Sequence, residues 1–101
     1  MQVFYVFSIY DQAALIFSEP FADRSVGLAL RAFSDAINGV GAKGPTQYST
    51  HPDDFDLYLI GEFSDSDGVF KPHMLNNDVH PKLIASGTTV LLKDKVSNVA
   101  A

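Results

Sequence analysis

Hydrophobic and polar positions change period several times along the chain. Residues 2–10 (QVFYVFSIY) are rich in β-branched and aromatic side chains and predict a strand. Asp11-Gln12 then separates two apolar runs, as a tight turn does, and residues 13–17 (AALIF) predict a second strand closing a hairpin. Pro20 ends it, because proline cannot donate to a ladder. From residue 25 to 37 the period lengthens. Val26, Leu30, Phe33 and Ile37 fall at i, i+4, i+7 and i+11, one stripe of a helix. Asp23 or Ser25 is placed to cap its start, and Asn38-Gly39, which tolerate left-handed dihedrals, to stop it.

The glycine-rich stretch 39–50 (GVGAKGPTQYST) predicts a loop. Residues 55–63 (FDLYLIGEF) alternate. Phe55, Leu57, Leu59 and Phe63 are expected on one face, and Asp56, Tyr58, Ile60 and Glu62 on the other. Asp65-Ser66-Asp67-Gly68 turns the chain, and Val69-Phe70 opens a return strand. Residues 71–82, with two prolines, two histidines and two asparagines, read as loop, and 88–92 (TTVLL) as a last short strand. The expected fold is α+β: an antiparallel sheet with one principal helix, in the order ββαββ(β). Residues 1–92 form one domain and 93–101 a frayed C-terminal tail.

Composition narrows the chemistry. Hydrophobic residues make up 47% of the chain and aromatic residues 12%, enough for a packed core and too apolar for intrinsic disorder. There are no cysteines, which removes disulfides, thiolate metal sites and thiol nucleophiles together. The N-terminal apolar run lacks a basic flank and is cut by Asp11, so it does not read as a secretory signal. No run approaches the ~18 apolar residues of a membrane span, and a cytosolic location is expected.

Net charge is −5, but it is unevenly placed. Residues 1–70 hold Arg24, Arg31 and Lys43 against ten acidic side chains, giving −7; residues 71–101 hold Lys71, Lys82, Lys93 and Lys95 against Asp78 and Asp94, giving +2. An acidic body argues against simple electrostatic coating of nucleic acid, whereas a mildly basic end is able to meet a phosphate backbone.

Catalytic motifs are missing. Asp65-x-Asp67-Gly68 lacks the further ligands of a calcium loop, so it reads as a turn. His51, His73 and His80 lack the helical spacing of a zinc pair. No serine sits in G-x-S-x-G, and no phosphate-cradling G-x-x-x-x-G-K run occurs. Asp53, Asp54 and Asp56 form an acidic knot able to hold magnesium, yet after Pro52 they better begin a helical turn. The expectation is a protein that is not an enzyme and holds no metal or cofactor.

The aromatic residues carry the main functional expectation. If the helix covers one face of the sheet with Val3, Tyr5, Phe7 and Ile9, the other face presents Phe4, Val6, Ser8 and Tyr10, joined by Tyr58 and Ile60. Such a patch is too apolar to leave bare. One reading stacks the bases of a single strand on Phe4, Tyr10 and Tyr58, with Arg24, Arg31, Lys71, Lys82, Lys93 and Lys95 on phosphates. The other buries Phe4, Val6, Tyr10, Tyr58 and Ile60 in a homodimer, which the acidic charge favours. A C-terminal strand folded over this face would make it ordinary core.

Two segments, Leu30-Arg31-Ala32-Phe33-Ser34-Asp35-Ala36-Ile37-Asn38 and the run from His51-Pro52-Asp53-Asp54-Phe55 to Glu62-Phe63, stand ahead of the Asp65–Gly68 turn. Ile9-Tyr10-Asp11 and Ser18-Glu19-Pro20-Phe21 precede them in order. Over residues 3–70 this series resembles the small nonstructural protein of gokushoviruses, a branch of the microviruses. The resemblance implies a role in viral single-stranded DNA synthesis, in the switch towards packaging, within the host bacterial cytoplasm. It implies viral or host replication proteins, or single-stranded DNA itself, as partners, and no catalytic residues.

Overall fold

The computed structural model describes residues 2–92; Lys93, Lys95 and the tail expected at 93–101 lie outside the described residues. In chain order the elements are β1 (Val3–Asp11), β2 (Ile16–Phe17), β3 (Phe21–Asp23), α1 (Val26–Ile37), α2 (Gln47–Thr50), a 3-10 turn (Pro52–Asp54), β4 (Phe55–Ser64), β5 (Phe70–Pro72), β6 (Met74–Leu75), β7 (Asp78–Val79), β8 (Lys82–Ser86) and α3 (Gly87–Val90). The α+β class is as expected: an antiparallel sheet with one main helix.

The long strands β1 and β4 pair antiparallel at the centre. The outer edge of β1 is shared by β2, opposite Tyr10 and Asp11, and β3, opposite Tyr5 to Phe7. The outer edge of β4 is shared by β8, opposite Asp56 to Leu59, and β5, opposite Gly61 to Phe63. Between β5 and β8 the chain leaves the sheet as a separate hairpin, β6–β7, whose strands pair only with each other.

Helix α1 starts where Ser25 accepts the Leu28 N–H on its side chain, 3.1 Å away, and stops at Asn38, with Gly39 at φ 71°. Its buried stripe is Ala29, Phe33 and Ile37 with Val26 packed beside it, whereas Leu30 is only half-buried. The small Ala29 lets the helix settle close to the sheet. Phe7, Leu57, Leu59 and Phe55 meet it from below. Tyr48 of α2 closes one end, its ring 4.6 Å from that of Phe55. Burying aliphatic and aromatic side chains of this size stabilises by roughly 1.5–3 kcal/mol each.

Several expected elements are corrected. The second strand is only Ile16–Phe17, because the Asp11 carboxylate accepts the Ala13 and Ala14 N–H groups and winds Gln12–Leu15 into a turn with Leu15 at φ 59°. Pro20 interrupts the hairpin rather than ending it, and β3 resumes the pairing. The 39–50 loop ends in α2, capped by Thr46. Residues 71–82 are not loop: they hold the end of β5, the whole hairpin and the start of β8. Its Asn76 and Asn77 take φ 51° and 70°, a turn that suits the twist of paired strands. Finally, 88–92 is not a strand. The strand lies earlier, at Lys82–Ser86. Ser86 and Thr89 form a capping box that turns Gly87–Val90 into helix despite its β-branched side chains.

Candidate functional site

A bulge decides which side chains share a face. Val6 stands opposite Gly61 and Phe7 opposite Leu59, so Ile60 is the extra residue on β4. Before the bulge β4 alternates as expected, with Phe55, Leu57 and Leu59 towards α1. After it the sense reverses. Phe63 pairs with Phe4 on the face away from the helix, and Glu62 pairs with Tyr5 on the helix side. The expected grouping of Phe63 with Leu57, and of Glu62 with Tyr58, is therefore corrected.

The face away from α1 is a continuous apolar surface. One row runs Phe4, Phe63, Phe70 across three strands. Gly61 leaves the space for Phe70: a β-carbon there would lie 2.5 Å from the Phe70 ring and from the Lys71 carbonyl oxygen. A second row runs Ser8, Tyr58, Leu83. At the far end Tyr10, Phe17 and Tyr58 form an aromatic cluster, with centroids 4.7 Å (Tyr10–Phe17), 5.4 Å (Phe17–Tyr58) and 6.3 Å (Tyr10–Tyr58) apart. The Tyr10–Tyr58 and Phe17–Tyr58 pairs meet edge to face, so these rings are engaged with each other. Phe17, Ile60, Pro20 and Pro81 line a hollow of about 170 Å³ beside them, with Ser8 and Ser18. The Ser8 hydroxyl is buried and donates to the Ser18 carbonyl at 2.8 Å.

All five residues expected on an apolar contact face, Phe4, Val6, Tyr10, Tyr58 and Ile60, are half-buried and belong to this surface. Strand β8 does not fold over them; it pairs with the edge of β4 in the same sheet. Phe17, Phe63, Phe70 and Leu83 extend the surface. Sequence reading assigned it none of these, because each enters through a strand edge or a bulge that alternation does not reveal.

The expected cations stand elsewhere. Lys71 is opposite Glu62 and Lys82 opposite Leu59, both on the helix-side register of β4. Arg24 is exposed just after β3 and Arg31 is exposed on α1. The structure thus brings Phe4, Tyr10 and Tyr58 onto one face but does not set these four basic residues among them. Among the described pairing positions of the aromatic side the one carboxylate is Asp56, opposite Tyr10; it is buried and accepts a 2.6 Å bond from Gln12 Nε2. Asp53 and Asp54 lie in the 3-10 turn. Among the described residues no group of three or more His, Cys, Asp or Glu side chains is placed to hold a metal ion.

A family model for phage ORF5 proteins matches residues 4–90. This chain belongs to the phage ORF5 protein family. The match runs past residue 70, through the hairpin and β8 to the last residue of α3, so these elements are part of the ORF5 family's own domain. No curated protein and no solved structure matches the chain. No helix among the described residues is long and apolar enough to cross a membrane.

Proposed function

We propose that this member of the phage ORF5 family is a non-enzymatic accessory protein of a gokushovirus-type single-stranded DNA phage. It acts in the switch to single-stranded DNA synthesis or packaging, in the host bacterial cytoplasm, and works as a homodimer closed over the aromatic face. Family membership supports the phage setting, and the order of motifs from Ile9 to Gly68 supports the gokushovirus process.

The observation that carries the dimer is the composition of the open face. Its pairing positions bring Phe4, Phe63, Phe70, Tyr10, Phe17, Tyr58 and Leu83 together without a lysine or arginine. A protein with net charge −5 repels its own copy at a distance. Two of these faces nevertheless meet without opposing like charges at the described pairing positions, because the carboxylate there, Asp56, is buried and already bonded. A self-complementary apolar patch is what a two-fold contact uses. Stacking of bases on the same rings is disfavoured by the edge-to-face packing and by the lack of cations to meet phosphates.

Sedimentation velocity tests this. The parent is expected to run as a dimer, and Phe4→Ser with Tyr58→Ser as a monomer with an unchanged circular dichroism spectrum. A double variant that sediments like the parent refutes the assigned face.

A further inference from the structure

The β6–β7 hairpin creates a second surface at its base, with different chemistry. His73 and His80 face each other where the hairpin leaves the sheet. The His80 N–H donates to the His73 carbonyl and the His73 Nδ1 to the His80 carbonyl, both at 2.8 Å, while the His80 Nδ1 donates to the Pro81 carbonyl at 2.7 Å. A carbonyl oxygen only accepts, so both rings carry their proton on Nδ1, and Nε2 is the nitrogen left for an outside ligand.

Two lysines flank the pair, Lys71 just before the hairpin and Lys82 just after it. Neither forms an ion pair among the described residues. Lys82, His73 and His80 line a hollow of about 460 Å³ floored by Met74, Leu75, Pro81 and Leu83, with no carboxylate in its wall. Lys71 lines an adjoining hollow of about 320 Å³ that shares His73 and Met74 with the first and also holds Glu62. On a chain with twelve acidic and seven basic residues, this gathers four nitrogen-bearing side chains at one place beside an apolar floor.

We propose that the base of the hairpin binds single-stranded nucleic acid, with Lys71 and Lys82 on phosphates and a base lying on Met74 and Pro81, beside the two histidine rings. Charge complementarity selects a polyanion. The apolar floor beside each charge selects a nucleotide, which presents a flat ring next to its phosphate, over a carboxylate peptide. A duplex keeps its rings stacked inside and has none to lay on the floor. The site adjoins the aromatic face at Pro81 and Leu83, but its lysines stand on the helix-side register, so it depends on the replication reading for the identity of the polymer and does not require the dimer.

The test is fluorescence anisotropy of a labelled oligothymidylate at increasing salt, with the full chain. Lys71→Gln with Lys82→Gln is expected to weaken binding about tenfold at low salt and to flatten the salt dependence by roughly 1.4 in slope, since each contact to a single-strand phosphate contributes about 0.7. Lys82→Glu alone is expected to weaken it further than Lys82→Gln. Phe4→Ser with Tyr58→Ser is expected to retain the affinity while losing the dimer. Absence of binding by the parent overturns the proposal. So does equal binding by the double lysine variant with loss in Lys93→Gln/Lys95→Gln, which moves the contact to the tail. Equal displacement by a polyglutamate peptide overturns the choice of nucleic acid. A parent that is monomeric but binds the oligomer through the lysines removes the dimer reading and leaves this one standing.

Discussion

Asn38 shows how much one side chain can join. It is 2% exposed and serves first as the stop of α1. Its Nδ2 donates to the Ser34 carbonyl at 2.8 Å and to the Val90 carbonyl at 3.0 Å, and its Oδ1 accepts the Leu92 N–H at 2.9 Å. The end of α1 is thereby tied to the end of α3. Asn38→Ala takes this partner from the half-buried Val90 carbonyl, at about 1–3 kcal/mol, and removes the hydrogen bond from the N–H of the exposed Leu92, at about 0.5–1.5 kcal/mol. A total loss of about 2–4 kcal/mol is expected, read as a lower urea midpoint with unchanged slope. The helix stop was legible, because Asn-Gly is a local signal. The tie to Val90 was not, since its partners lie more than fifty residues away and no spacing records them. Gly87 is a similar case. Alanine in a helix is favoured over glycine by about 1 kcal/mol. Here, however, its β-carbon would lie 1.8 Å from the Pro52 carbonyl oxygen. Backbone cannot rotate aside as a side chain can, so the clash outweighs propensity. Gly87→Ala is expected to lower the midpoint by about 1–3 kcal/mol in stability, measured in the same titration.

At the level of elements, periodicity identified what is periodic. β1, α1 and β4 were readable because each is long enough to repeat its pattern. The short pieces were missed or misplaced, since pairing partners decide them: β3 follows β1 across the break at Pro20, and α3 is set by the Ser86–Thr89 capping box against the preference of Thr88, Thr89 and Val90. The bulge at Ile60 is the most consequential of these, because it moved Phe63 onto the aromatic face and Glu62 off it. Gly61 is the residue that lets Phe70 lie against that face. Gly61→Ala is expected to push the Phe70 ring away and loosen β5. Amide exchange at Phe63 and Phe70 should accelerate by at least about tenfold while the β1–β4 amides up to Leu59 stay protected. Uniform acceleration throughout the sheet would instead mean that Gly61 supports the whole core.

For the molecule as a whole, two surfaces of opposite character adjoin, meeting at Pro81 and Leu83. The apolar face was half legible: Phe4, Val6, Tyr10, Tyr58 and Ile60 follow from alternation, while Phe17, Phe63, Phe70 and Leu83 depend on register. The basic end was legible as a composition, +2 over residues 71–101 against −7 before it. Its placement was not, because the prolines, histidines and asparagines of residues 71–82 carry no period, and the hairpin that sets Lys71 and Lys82 on adjoining hollows depends on pairing partners. Surfaces built on different residues lead to separable variants, so loss of the dimer and loss of nucleic-acid affinity are expected to segregate in the two double mutants.

The strands β5 and β8 lie end to end along a single edge of β4; the His73 N–H still donates to the Ile60 carbonyl at 2.8 Å, and from Met74 to Val79 the chain is an excursion from that edge. The β6 and β7 strands pair only with each other, so the ladder of the main sheet does not run through the tip of the hairpin. The tip at Asn76-Asn77 is therefore a splice point: chain can be added there without disturbing either anchor, provided that His73 and His80 still close the base.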